Sequence, residues 1–227
     1  GNSPIAKRQT SQLRPTGLHD TRGDSTQPLP WSAQMSHLQL ILKKRQVQIV
    51  LLLTLLEGGM AFGGMVFVPS VLMRDYQLNA ATAGSIMLLY GLGGLGYTHF
   101  AKRWLQALGE AGLARLGGGL IALGLCVLLM GQHTSAAMLA CAITGMGLYM
   151  LHNVLQTQAT QMAPEDRSTA LTLFASVLFL GQSLGVALLA WGLDAGLLHH
   201  HLAGIAVCIV WVGWWVARQS PQALPKT

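Results

Sequence analysis

Charge is what this sequence has least of. Only 10% of its 227 residues are Asp, Glu, Lys or Arg, while 52% are hydrophobic. Soluble domains usually carry about a quarter charged residues, so this composition excludes an ordinary water-soluble globule. Cysteine is also sparse, and Cys126, Cys141 and Cys208 sit in different apolar runs without disulfide or metal spacing. They are expected to be small, inert, buried side chains. The N-terminus lacks a basic start followed by an apolar core and a small-residue cleavage site, so no signal peptide is read there. It also lacks an initiator Met, and the chain is expected to be a piece of a longer one.

What is present is a series of long apolar runs, near 47–70, 80–100, 113–131, 136–159, 168–192 and 198–217. Each is long enough for the roughly 20 helical residues that cross a hydrocarbon core of about 30 Å. The expectation is an all-α integral membrane protein with six transmembrane helices over residues 46–217. Residues 1–45, rich in Ser, Thr, Gln, Pro and basic side chains, show no apolar periodicity and read as a largely disordered cytoplasmic linker. Residues 218–227 read as a cytoplasmic tail.

Orientation follows from the basic residues, which accumulate in cytoplasmic loops. With six spans, every Lys and Arg except Arg74 falls on the side that holds both termini, so both termini are expected in the cytoplasm. The same distribution accounts for the net charge of +6 as a topology signal, without a nucleic-acid partner. Trp104, Trp191, Trp214 and Trp215 are placed as interface anchors.

Polar side chains inside the spans are unevenly distributed. Glu57 is the only acidic residue within the core of any run, about ten residues in and so about 15 Å deep. An ionisable group at that depth is costly and normally faces protein or water. The second span has Tyr90 and the fifth has Gln182 and Ser183. The fourth carries LYMLHNVLQTQAT (148–160), where a spacing of four puts His152, Gln156 and Thr160 on one stripe and Asn153 with Thr157 on the next. The third and sixth spans have no strongly polar interior residue and are expected to face lipid. Taken in order, polar, mixed and apolar spans occur twice. Three being odd, the second unit must be inverted, which is the two-repeat plan of many transporters, with sites near the midplane.

Three short patterns compete with this reading. GLGGLG (91–96) matches a dinucleotide fingerprint but lacks the preceding strand, and inside a helix such glycines permit close packing. GQSLG (181–185) matches a nucleophile elbow, which needs a strand-to-helix turn; an intramembrane serine hydrolase using His152 as base is the weakest alternative. His199, His200 and His201 point about 100° apart on a helix and do not converge on one metal. No cofactor, metal or catalytic residue is expected.

The segments MAPEDRSTALTLFASVLFLGQSLGVALLAWGLD (162–194), LHNVLQTQAT (151–160) and, more weakly, GLGGLGYTHFAKRWLQALGE (91–110) carry a resemblance to a known family. From about residue 46 to 217 the chain resembles the C-terminal six-helix half of a major facilitator superfamily transporter, nearest in character to bacterial proton-coupled drug and sugar efflux permeases. It lacks the Asp-Arg pair that stronger versions of the family's loop motif carry. The resemblance implies a multi-pass protein of a bacterial inner membrane that moves small molecules, with protons, between this half and an N-terminal six-helix half. The expected substrate and proton pathway comprises Glu57, Tyr90, His152, Asn153, Gln156 and Gln182. A half that does not transport, serving only as a membrane scaffold, is the principal alternative.

Overall fold

The computed structural model describes residues 31–220. The chain divides into two units between His37 and Leu38. Of the first, residues 31–37 are described, as the opening turns of helix α1 (Trp31–Leu42). The segment read as linker is thus helical over Trp31–Leu42, and residues 1–30, with the expected tail beyond residue 220, lie outside the described residues. All that follows concerns the second unit.

Every regular element among the described residues of this unit is a helix. Helix α2 (Arg45–Glu57) runs into a π-helical turn (Gly58–Phe62), then α3 (Gly63–Met65) and α4 (Val68–Arg74). The long helices α5 (Ala80–Met130), α6 (Thr134–Met162), α7 (Arg167–Asp194) and α8 (Leu198–Gln219) follow. Five stretches are long and apolar enough to cross a membrane: 45–74 and the four long helices. Helix is the expected answer to such sequences, because a backbone in hydrocarbon must satisfy its own N–H and C=O groups.

The count of five, against six expected runs, comes from α5. At 51 residues a straight rod would measure about 76 Å, far more than the roughly 30 Å a membrane requires. It is not straight. Gly109 has φ 66° and ψ 175°, a conformation essentially restricted to glycine, and the chain doubles back there. Before the break, Tyr90 lies on Gly145 and Gly94 on Tyr149, ascending together with α6. After it, Gly117 lies on Gly147 and Gly124 on Thr144, descending. The basic loop expected at 101–112 is therefore absorbed into helix on both sides of one residue.

Contacts between distant parts of the chain define two ends of the bundle. At one, Lys44 pairs with Glu165, and Gln158 Nε2 donates to Val216 O at 2.9 Å and to Ser220 Oγ at 3.0 Å. At the other, Tyr76 donates to Leu128 O at 2.7 Å and His199 Nε2 lies 2.7 Å from Asp75 Oδ2. Asn79 and Asp166 cap α5 and α7 by accepting from Thr82 N and Thr169 N, the role short polar side chains take at helix starts.

Glycines set the interhelical distances. Gly58, Gly59 and Gly63 sit on the backbone of Leu178, Gly181 and Gly185, and Gly181 sits in turn on Leu55. These contacts clamp the π turn onto α7, where any side chain larger than hydrogen would meet main chain. GLGGLG lies within α5, with Gly93 and Gly94 against α6, and GQSLG lies in mid-α7, where Ser183 donates to Phe179 O at 2.9 Å. Neither adjoins a strand.

The Gly109 geometry gives a direct test. A methyl group added there meets no atom within 4 Å, so Gly109→Ala should cost only backbone strain, about 1–3 kcal/mol. Gly119, also in open space but helical, should tolerate Ala or gain up to about 1 kcal/mol. Thermal unfolding in detergent should lower the midpoint for the first variant and leave or raise it for the second; equal midpoints would show that the reversal is not anchored at Gly109.

Candidate functional site

Glu57 is the last residue of α2 and the step into the π turn. Its side chain is completely enclosed, with 0% exposure, in a bundle whose other large side chains buried to the same degree are apolar. One partner reaches it: His152 on α6, whose Nδ1 lies 3.3 Å from Oε2. The other oxygen, Oε1, is buried without a partner. The neighbouring hydroxyl on α2, Thr54 Oγ1, turns away and donates to Val50 O at 2.8 Å.

Two aromatic rings hold the imidazole. Phe62, at the end of the π turn, meets it edge-on with centroids 5.2 Å apart, and Phe174 on α7 meets it tilted at 5.5 Å. Thus α2, α6 and α7 each contribute to one cluster: a carboxyl, an imidazole between two rings, and a helix that departs from α geometry right after the carboxyl. π turns inside α-helices are often found at functional sites. The contact suits either a carboxylate facing an imidazolium or a neutral acid facing a neutral ring. In both states a proton lies on the line between Oε2 and Nδ1, so the pair can hold or pass one.

A family model described as Major Facilitator Superfamily matches residues 5–186. The chain belongs to the major facilitator superfamily. This is a superfamily of membrane transporters rather than enzymes, so the protein is a multi-pass membrane transporter by family, with lipid and a small-molecule substrate as its natural contacts. The match includes Glu57, the whole of α6 and GQSLG. No curated protein matches the chain.

In this transporter the expected pathway residues do not form one cluster. Glu57 and His152 meet. Tyr90 is buried, with its backbone against Gly145, seven residues before His152 and so about 10 Å away along α6. Asn153 is half-buried and donates to Tyr149 O at 2.8 Å; Gln156, one turn beyond His152, is exposed. Gln182 is half-buried on α7 with its backbone N against Gly58, which places it near the π turn by main chain. Thr157 and Thr160 donate to the carbonyls of Asn153 and Thr157, satisfying themselves within α6.

Sequence reasoning missed Phe62, Phe174 and Gln158. Nothing marks the two phenylalanines among so many apolar residues. Gln158 did carry a signal: it falls on the face of Leu151 and Leu155, both fully buried, so an amide there needs an interhelical partner, which α8 supplies. Its Oε1 and Glu110 Oε2 are also buried without partners. Of the three adjacent histidines, His199 pairs with Asp75, His201 Nδ1 lies 2.9 Å from Leu197 O, and His200 and His201 both line an apolar groove of about 520 Å³ between α2, the π turn, α7 and α8. That groove includes neither Glu57 nor His152 and, apart from His200, His201 and Cys208, is lined by apolar residues and glycines, so the enclosed, hydrogen-bonded pair is the better candidate for the working site.

If Glu57 and His152 act as one unit, their substitutions should not add. His152→Ala strands a buried acid and should destabilise by about 1–3 kcal/mol, whereas Glu57→Gln keeps a hydrogen-bonding group. A double-mutant cycle on thermal unfolding should give a coupling of about 0.5–3 kcal/mol. Simple additivity would show that the 3.3 Å contact contributes nothing.

Proposed function

We propose that the protein is a secondary transporter of the proton-coupled efflux type, exporting small molecules such as drugs or sugars, and that Glu57 carries the coupling proton. One observation carries this reading: a carboxyl with no exposed surface, in an apolar bundle, whose hydrogen-bond partner is an imidazole. A fixed structural role would be served as well by an amide and at lower risk, since intramembrane acids are expensive and tend to be kept for ion or proton pathways. Tyr90, Asn153, Gln156 and Gln182 are assigned to the wall along which substrate passes.

The proposal extends to the architecture. Counting α5 as two spans joined at Gly109 gives six passes, arranged as two inverted three-helix repeats, with residues 46–217 forming one half of the carrier. The linker 1–45, the tail and both termini are placed in the cytoplasm of a bacterium and the bundle in its inner membrane. Support comes from the basic residues: Lys43, Lys44, Arg45, Arg167 and Arg218 adjoin the end where Lys44 meets Glu165 and Gln158 meets Ser220. A second six-helix half completes the cavity. Apolar side chains on α7 support such a neighbour or lipid, with Phe179 at 64% and Leu184 at 57% exposure.

Counter-transport in proteoliposomes containing the chain together with its partner half tests the coupling. Glu57→Gln retains shape and hydrogen bonding but cannot ionise, so it should abolish uptake driven by a pH gradient while sparing exchange of substrate for substrate. Proton-driven uptake that survives the substitution would move the coupling site elsewhere. If this chain alone builds robust substrate gradients, the need for a second half is refuted.

A further inference from the structure

We infer that His152 is the proton relay of Glu57: every proton that reaches or leaves the enclosed carboxyl passes through the imidazole, in at one ring nitrogen and out at the other. This deepens the coupling role proposed for Glu57 and rests on it. The geometry leaves the carboxyl one way out. Glu57 has no exposed surface, Oε1 meets no donor or acceptor, and Oε2 meets Nδ1. The His152 side chain, by contrast, is 24% exposed and adjoins Asn153 and Gln156 on the more open, polar side of α6, where water can approach. Of the two partners, only His152 touches both the buried carboxyl and the outside.

The other titratable groups near this level are two phenols, Tyr97 on α5, which packs against Trp104, and Tyr149 on α6, whose ring lies on Gly94; neither hydrogen-bonds the carboxyl. On α7 the residues around Phe174, from 170 to 182, contain none; on α8 the stretch 202–217 contains only Cys208, which lines the separate groove. Tyr90 on α5 is a long way down α6, at Gly145. Among the described residues, His152 is the one basic side chain within 4 Å of the carboxylate.

The transfer balances without external reagents other than the proton. In the empty state neutral His152 carries its hydrogen on Nδ1 and donates it to the Glu57 carboxylate. A proton from water binds the Nε2 lone pair, and the Nδ1–H proton moves to Oε2. His152 is then neutral with hydrogen on Nε2, and Glu57 is a neutral acid donating to Nδ1. Unloading reverses the order: Oε2–H returns its proton to Nδ1 and Nε2–H leaves to water. Neither direction requires the ring to turn over, which suits an imidazole held between Phe62 and Phe174. Positioned imidazole typically speeds proton transfer by about 10²–10⁴-fold.

The test follows the carboxyl itself, in the full chain reconstituted in lipid vesicles. After a pH jump, time-resolved infrared difference spectra should show a carboxylic C=O band that vanishes in Glu57→Gln and so belongs to Glu57. In His152→Phe, which fills the space between the rings, the band should appear about a hundredfold more slowly. In His152→Ala, added free imidazole should restore a large part of the rate. A Glu57 band that responds equally fast in His152→Phe overturns the relay and leaves Glu57 free to be the coupling site. Absence of any titrating Glu57 band also overturns it. Loss of proton drive in the Glu57→Gln transport assay is scored separately, so the relay and the coupling role can fail independently.

Discussion

A carboxyl enclosed on all sides in an apolar bundle must have a partner, and the partner of Glu57 comes from a helix that begins 77 residues later in the chain. The rest of the local structure follows from keeping that contact. For His152 on α6 to reach it, α2 and α6 must approach and hold their depth relative to one another. For the imidazole to stay aimed it needs neighbours, and Phe62, edge-on, and Phe174, tilted, provide them from two further elements. The glycines of the π turn and of α7 then do what glycines commonly do between membrane helices, removing side chains so that main chains can touch. Apolar packing alone could not specify this arrangement, because lipid tails are as apolar as leucine; small residues and polar contacts are what distinguish one pairing from another.

The same division runs through the whole bundle. Its interior is assembled by small residues: Gly93, Gly117 and Gly124 against α6, Gly118 against Gly213 of α8, and Gly181 and Gly185 against α2 and the π turn. Its ends are fixed by polar groups, with Lys44 and Glu165 or Gln158 and Ser220 at one and Tyr76, Asp75 and His199 at the other. Water weakens the exposed Lys44–Glu165 and His199–Asp75 pairs, so these register helices more than they stabilise them, whereas the Gln158 bonds are buried. Helix α8 joins the assembly chiefly through α5, on the Gly118 and Gly213 seam, in keeping with its almost wholly apolar interior.

Much of this was legible in composition and spacing. Glu57 stood out because it is the lone acid in any apolar core, and the polar side of α6 was visible from residues spaced by four. The meeting of Glu57 with His152 was not legible, since periodicity fixes a residue's face on its own helix but not the neighbour that face meets or the relative depth. Spacing alone named no partner for the acid; the fold supplies His152. Asn153, Thr157 and Thr160 illustrate the reverse limit: a polar stripe on a helical wheel looks the same whether its side chains point at a substrate or bond their own carbonyls one turn back. A reversal between the runs 80–100 and 113–131 was expected, but its form was hidden, because helix-forming residues flank Gly109 on both sides and one glycine does the turning. The π turn left no mark beyond the Gly58-Gly59 pair.

That turn also constrains how the chain can vary. A π turn accommodates one residue more than the α-helix would over the same stretch, so helix before and after it is out of phase by about 100°. Glu57 lies ahead of the offset and Phe62 at its far end, yet both address the same imidazole. Deleting any one residue from 58–62 would heal the helix and swing the carboxyl and the ring to different azimuths, whereas point substitutions that spare the glycine contacts would preserve their convergence. Over evolutionary time this short piece should therefore be far less forgiving of changes in length than of changes in letter.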